Sequence, residues 1–211
     1  MDKSLGYVAR ESALIIFSIL AALGVNEWRM RAAAEAEERE AYAAVYAELS
    51  DNLEILVGLP EYHGSIAKTL YESMQAAAAP GAVETRTPMQ IFTSIEFLRP
   101  ATVIEQMPQS VAWDLAKQRG AAARFDYDDA RRLSLIYDTQ QASIIELYRD
   151  AFDVLVRPEM FLARDQGATL APLVALFEEL SAREVTMVEL LKKEISAMRE
   201  SNPKLDEIAK N

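Results

Sequence analysis

From Ser12 to Val25 the chain reads Ser-Ala-Leu-Ile-Ile-Phe-Ser-Ile-Leu-Ala-Ala-Leu-Gly-Val, an apolar run set between Arg10-Glu11 and Asn26-Glu27-Trp28-Arg29. At about 14 residues it is shorter than the roughly 20 that cross a bilayer as a helix. Leu5, Tyr7, Val8 and Ala9 carry the apolar character upstream, and Tyr7 and Trp28 bracket the whole. At about 1.5 Å per residue, Tyr7 to Trp28 covers roughly 30 Å, with an aromatic ring at each interface. The pattern favours a single spanning helix within residues 1–28. On that reading Arg10 snorkels to the headgroups, and Arg10 and Glu11 either offset each other or meet a partner's membrane helix. A plainer version begins the span at Ser12. Ser18 and Ala22 form a small-x-x-x-small step that can seat another helix. A signal peptide cleaved near Ala21-Ala22-Leu23-Gly24 fits less well, because Asp2 and Glu11 sit among the amino-terminal charges, and a soluble buried helix is the other alternative.

Beyond Trp28 the helical period does not break. Glu35 and Arg39 are one helical turn apart with opposite charge, and Tyr42, Val45, Tyr46, Leu49, Leu53 and Leu56 recur at steps of three and four. One helix is predicted from the membrane to about Val57, stopped by Gly58 and Pro60. A second, with Tyr62, Ile66, Leu70, Tyr71 and Met74 on its face, ends at Ala79-Pro80-Gly81. Residues 80–108 carry Pro80, Pro88, Pro100 and Pro108, with a short helix expected over Met89–Leu98. Ser110 reads as the N-cap and Gly120 as the C′ residue of a helix over Val111–Arg119. Asp126 with Asp129 resembles a capping box opening a long helix that ends before Pro158, and a last one runs from about Thr169 to Arg199. The expected fold is all-α: an anchor at 1–28, a bundle of four long and some short helices at 29–200, and a polar, frayed tail at 201–211. Broad apolar faces and interrupting prolines favour the bundle over an extended coiled coil.

Composition narrows the chemistry more than the architecture. The chain of 211 residues has 7 Gly and 8 Pro against 51% hydrophobic residues, a mix that suits helices. Its net charge of −11 opposes nucleic acid and anionic lipid, so membrane attachment has to come from insertion. Cysteine is absent and histidine occurs once, which removes thiolate chemistry and the usual zinc sites. By Lys/Arg count, Lys3 and Arg10 nearly balance Arg29, Arg31 and Arg39, and the expected orientation puts the amino terminus inside and the domain in the periplasm.

Two stretches carry a resemblance. Arg10 through Trp28-Arg29, followed by the Ala/Arg/Glu-rich helix, is one; Ser110-Val-Ala-Trp113 through Gly120, with Tyr127 and then Leu135-Ile-Tyr137-Asp-Thr-Gln140, is the other. Together they resemble an uncharacterised bacterial family of small proteins with one amino-terminal membrane helix ending in an Asn-Glu-Trp-like motif and an α-helical domain. The resemblance implies a retained single-pass anchor in the bacterial inner membrane and brings no catalytic residues.

Candidate chemistries are sparse. His63, in Glu61-Tyr-His-Gly-Ser65, reads as a partly exposed structural residue, since no Gly-x-Ser-x-Gly elbow supports a Ser65/His63 pair. Asp126, Asp128 and Asp129 lack the glycine and closing glutamate of a calcium loop and read as a helix start. Trp113 reads as core, and the tyrosines as core rings with hydroxyls meeting water at the bundle edge. No catalytic, cofactor or metal residue is expected, and the chain is read as a non-enzyme. The expected function is a membrane-anchored helical scaffold or accessory protein acting through a protein partner or homo-oligomer, without nucleic acid. Its contact candidates are Arg10, Glu11, Ser18, Ala22 and Trp28. The alternative is a membrane-tethered, sensor-like domain that binds a small ligand.

Overall fold

A computed structural model describes residues 2–79, 86–96, 98, 106–162, 166–203 and 205, with the side chains of 2–13, 15 and 166 excepted. The architecture is all-α. Helix α1 (Asp2–Leu56) passes residue 28 without interruption, and Val57-Gly58 separates it from α2 (Leu59–Ala77). Then follow α3 (Pro88–Thr93), α4 (Val111–Gln118), a 3₁₀ turn at Ala122–Arg124 and α5 (Tyr127–Gln140). A π turn at Gln141–Ile145 joins α5 to α6 (Glu146–Leu155), and after a second 3₁₀ turn α7 (Gln166–Ser201) closes the fold. Pro172 lies inside α7, in its second turn, where its missing N–H gives up one bond of the helical ladder.

Cross-links set the directions. Tyr42 bonds Asp129, Asn52 bonds Gln140, and the His63 ring lies 6.1 Å from that of Tyr148, so α1–α2 and α5–α6 run side by side in the same sense. Arg199 reaches Tyr46, Glu184 reaches His63, and Ser181 donates to the Pro60 carbonyl, so α7 returns antiparallel along both. The core between these three rods contains Val45, Leu49, Leu56, Ile66 and Leu70 on one side and Leu133, Ile144, Leu173, Phe177, Leu180 and Leu191 on the others. Short α3 covers the far end, stacking Phe92 on Phe177 at 5.8 Å. It starts with a capping box, Thr87 Oγ1 accepting from Gln90 N while Gln90 Oε1 accepts from Thr87 N.

Several expected boundaries recur: α1 ends at Leu56, and Gly120 follows α4 at φ 73°, a left-handed position that glycine adopts without a Cβ clash. The caps differ. Ser110 Oγ donates to Asp114 Oδ2 rather than accepting from the backbone of α4. Asp126 does cap α5, accepting from Asp128 N, but Asp129 turns away from the box toward Tyr42 and Arg132. The tail is not frayed throughout, since Leu205 is buried and its N–H bonds the Asn202 carbonyl.

From Leu14 to Tyr42 no described side chain of α1 is buried, and Ala43 is the first that is. Among the described residues no helix is long and apolar enough to cross a membrane. The expected span from Tyr7 to Trp28 has no support there, for the run from Ser12 to Val25 is short and the upstream side chains, Arg10 and Glu11 included, lie outside the description.

Candidate functional site

Polar side chains inside the bundle come in tiers, each at a position where the helical repeat demands a core residue. Asn52 falls in the step from Leu49 to Leu56, His63 in that from Leu59 to Ile66, and Glu184 in that from Leu180 to Met187. Buried polar groups cost free energy unless they are bonded, so their partners define them.

In the upper tier His63 Nδ1 faces both carboxylate oxygens of Glu184 at 2.8 and 2.9 Å, and the Tyr148 hydroxyl donates to Glu184 Oε1 at 2.5 Å. His63 and Glu184 are fully buried, which corrects the expectation of a partly exposed histidine. The partner that internalises His63 lies 121 positions away, beyond the reach of local pattern. In the middle tier Asn52 Nδ2 donates to the Gln109 carbonyl and to Gln140 Oε1, Asn52 Oδ1 accepts from Gln109 N, and Gln140 Nε2 also donates to that carbonyl. This closed set pins the segment before α4 to α1 and α5. In the lower tier Arg132 bridges Asp129 and Glu194, and Tyr42 donates to Asp129 Oδ2.

Glu48 has a separate task. Its carboxylate accepts from Ala112 N at 2.8 Å and Trp113 N at 3.4 Å, so α1 supplies the cap that Ser110 does not. The Tyr137 hydroxyl donates to the same group at 2.7 Å. Trp113 lies flat on Tyr137, with centroids 5.7 Å apart, and next to Phe125, which meets Tyr42 edge-on. Trp113 is therefore core, and it joins Tyr137 and Gln140, the residues of the second recognisable stretch, around the base of α4. The tyrosine hydroxyls at 137 and 148 point to carboxylates rather than to water at the bundle edge. Burial, then the charge and hydrogen bond of Glu48 or Glu184, pushes both phenols far up from their ordinary value. Burial also raises Tyr42 to about 12, with Asp129 and Glu194 adding to it and Ser201 opposing.

Exposed large apolar side chains lie on α1 and α4, and also at Leu135 and Phe152 on α5 and α6. Leu14, Phe17 and Leu20 are more than 60% exposed, as is Trp28 at 70%. Ser18 Oγ is spent on the Leu14 carbonyl at 2.8 Å, and Ala22 is exposed. Of the sequence candidates the structure thus shows Ser18, Ala22 and Trp28 on one unpacked helix, brought to no common site. Farther along, α4 descends α1 from Glu48 toward Glu37, which pairs with Arg124 at 2.8 Å. Between them lies a groove of about 370 Å³ floored by Ala41, Ala44, Ala112 and Ala116. Val111 and Leu115 form its apolar wall, both exposed. Glu40 on α1 and Arg119 on α4 stand at its rim with no ion-pair partner among the described residues.

Among the described residues no group of three His, Asp or Glu side chains is placed to hold a metal. The acids around residue 126 serve the start of α5 and the lower tier instead. No family model, no curated protein and no solved structure matches the chain.

Proposed function

We propose that the chain is a membrane-held helical scaffold or accessory protein that acts through contacts with other proteins rather than through catalysis. One observation carries the reading: the apolar side chains of α1 between Leu14 and Val25 have no packing partner within the bundle. Large contiguous apolar surface is costly in water and marks a membrane or protein contact. The polar tiers support the non-catalytic half, because His63 and Glu184 are committed to each other away from solvent. The anchor is read as a single pass in a bacterial inner membrane, with the bundle on the periplasmic side.

Alkaline carbonate extraction of the full chain tests the anchor and protease accessibility tests its side. Retention in the membrane pellet is expected, with the bundle cleaved only from the periplasmic face. Release into the wash would overturn the anchor. Cross-linking in native membranes is expected to recover a stoichiometric partner or a defined homo-oligomer, and an uncross-linked monomer would overturn the scaffold.

A small-ligand reading draws on a second cleft, of about 190 Å³, between α6 and the start of α7. Val154, Met160 and Pro172 line it together with Arg157 and Thr169, apolar walls with a few polar groups as ligand sites have. A metabolite panel that raises the melting temperature of the wild type but not of an Arg157→Ala variant would favour it.

A further inference from the structure

The groove between α1 and α4 is not an isolated dent. On α1, Ile19, Leu23, Asn26, Met30 and Ala33 follow one another at alternating steps of four and three, and all are exposed. Glu37, Glu40 and Ala44 in the groove keep the same alternation. A step pattern averaging about 3.5 residues keeps one seam facing a neighbouring helix that winds around the first with a left-handed twist. The seam runs from the apolar run into the groove, roughly 38 Å at about 1.5 Å per residue. Asn26, a polar residue within it, has among the described residues an exposed 3.5 Å contact to Met30 Sδ, and a seam asparagine fixes register between two chains.

We infer that this seam and groove receive a second copy of the chain, related by a two-fold axis along α1. The charges at the rim fit a copy of the same protein. Glu40 is on the α1 wall and Arg119, at the C-terminal end of α4, on the opposite wall, each without an ion-pair partner among the described residues. A two-fold interface presents the same patch twice, so each copy's Arg119 meets the other's Glu40. Contact is direct from Ile19 to Ala33. Higher up, the α1 helices part to let each copy's Val111 and Leu115 cover the alanine floor of the other. Glu37 stays with its own Arg124 and is not forced against its counterpart.

The inference rests on the membrane-held reading, because two chains inserted in one bilayer present α1 in parallel. The chain has no cysteine, so a single introduced thiol is an unambiguous probe. In membranes carrying the full-length protein, Met30→Cys on the seam and Glu35→Cys on the opposite face are treated with a short bismaleimide. Both positions are exposed, so neither change disturbs the bundle. At least tenfold more cross-linked dimer is expected from Met30→Cys. In that background Arg119→Glu should reduce the dimer several-fold, and adding Glu40→Arg should restore it. Equal cross-linking at the two positions, or no rescue by the double exchange, overturns the inference. So does stoichiometric coupling of Met30→Cys to a different protein, although that result leaves the scaffold reading standing. Release of the protein by carbonate defeats the membrane reading itself.

Discussion

Glu184 accepts from two buried donors at once, and it lies where the repeat of α7 calls for an apolar residue. Glu184→Ala removes the acceptor shared by His63 Nδ1 and the Tyr148 hydroxyl and should cost about 3 kcal/mol, as loss of a buried polar partner does. For a domain of this size that lowers the melting temperature by roughly 6–12 °C, and Glu184→Gln, which keeps an acceptor, should lose less. Calorimetry distinguishes the two. The tyrosines set an alkaline limit. A phenol whose pKa rises on folding keeps its proton in the folded chain at a pH where the unfolded chain has lost it. Its stabilising contribution is therefore complete below the ordinary phenol value near 10 and is lost as pH rises from there; for Tyr42 the loss runs to about 12. Tyr137 and Tyr148 are raised in the same direction and steepen the fall. Helical circular dichroism under fixed denaturant should be level to about pH 10 and then drop, less steeply in Tyr42→Phe. The register that puts Asn52, His63 and Glu184 on core faces lies in the sequence, yet His63 reads there as partly exposed and the other two draw no notice, because a polar residue in an apolar step is placed inside only by its partner. Which group each one meets was not legible, because those partners are distant in sequence and are chosen by how the rods align.

At the scale of elements, α4 depends on its neighbour. Eight residues give too few internal hydrogen bonds to hold a helix alone, and the Glu48 carboxylate offsets this by taking two of its free amides. Glu48→Ala should destabilise the chain by about 1–2 kcal/mol. The Trp113 emission should shift to the red, and exchange at the Ala112 and Trp113 amides should accelerate; unchanged exchange would show that the cap contributes nothing. The ends of α1, α6 and short α4 were readable because the apolar period, Gly58, Pro158 and Gly120 are local signals. The π turn at Gln141–Ile145 was not, for it has no glycine or proline. It lies immediately after Gln140, between the middle and upper tiers, and one inserted residue there turns the helix so that Gln140 and Tyr148 both face inward.

The whole molecule divides into a packed bundle and a helix that reaches beyond it. Because no described side chain of α1 is buried before Ala43, a chain starting at Ala34 should fold with the melting temperature of the full-length protein while losing its membrane association. A large fall in melting temperature would mean that the apolar run packs on the bundle. By itself the sequence determined the all-α class, the order of the long helices, the exclusion of cysteine chemistry and the apolar run that must be covered by something. These follow from composition and from periodicity, which operate within a few turns of chain. Only the tertiary structure decided that the lone histidine is sealed against Glu184 and Tyr148, that Glu48 caps α4, and that α1 and α4 leave an alanine-floored groove between unpaired opposite charges. Those arrangements come from packing rods in one alignment out of several that the same apolar faces allow, and buried polar pairs select that alignment by penalising every other.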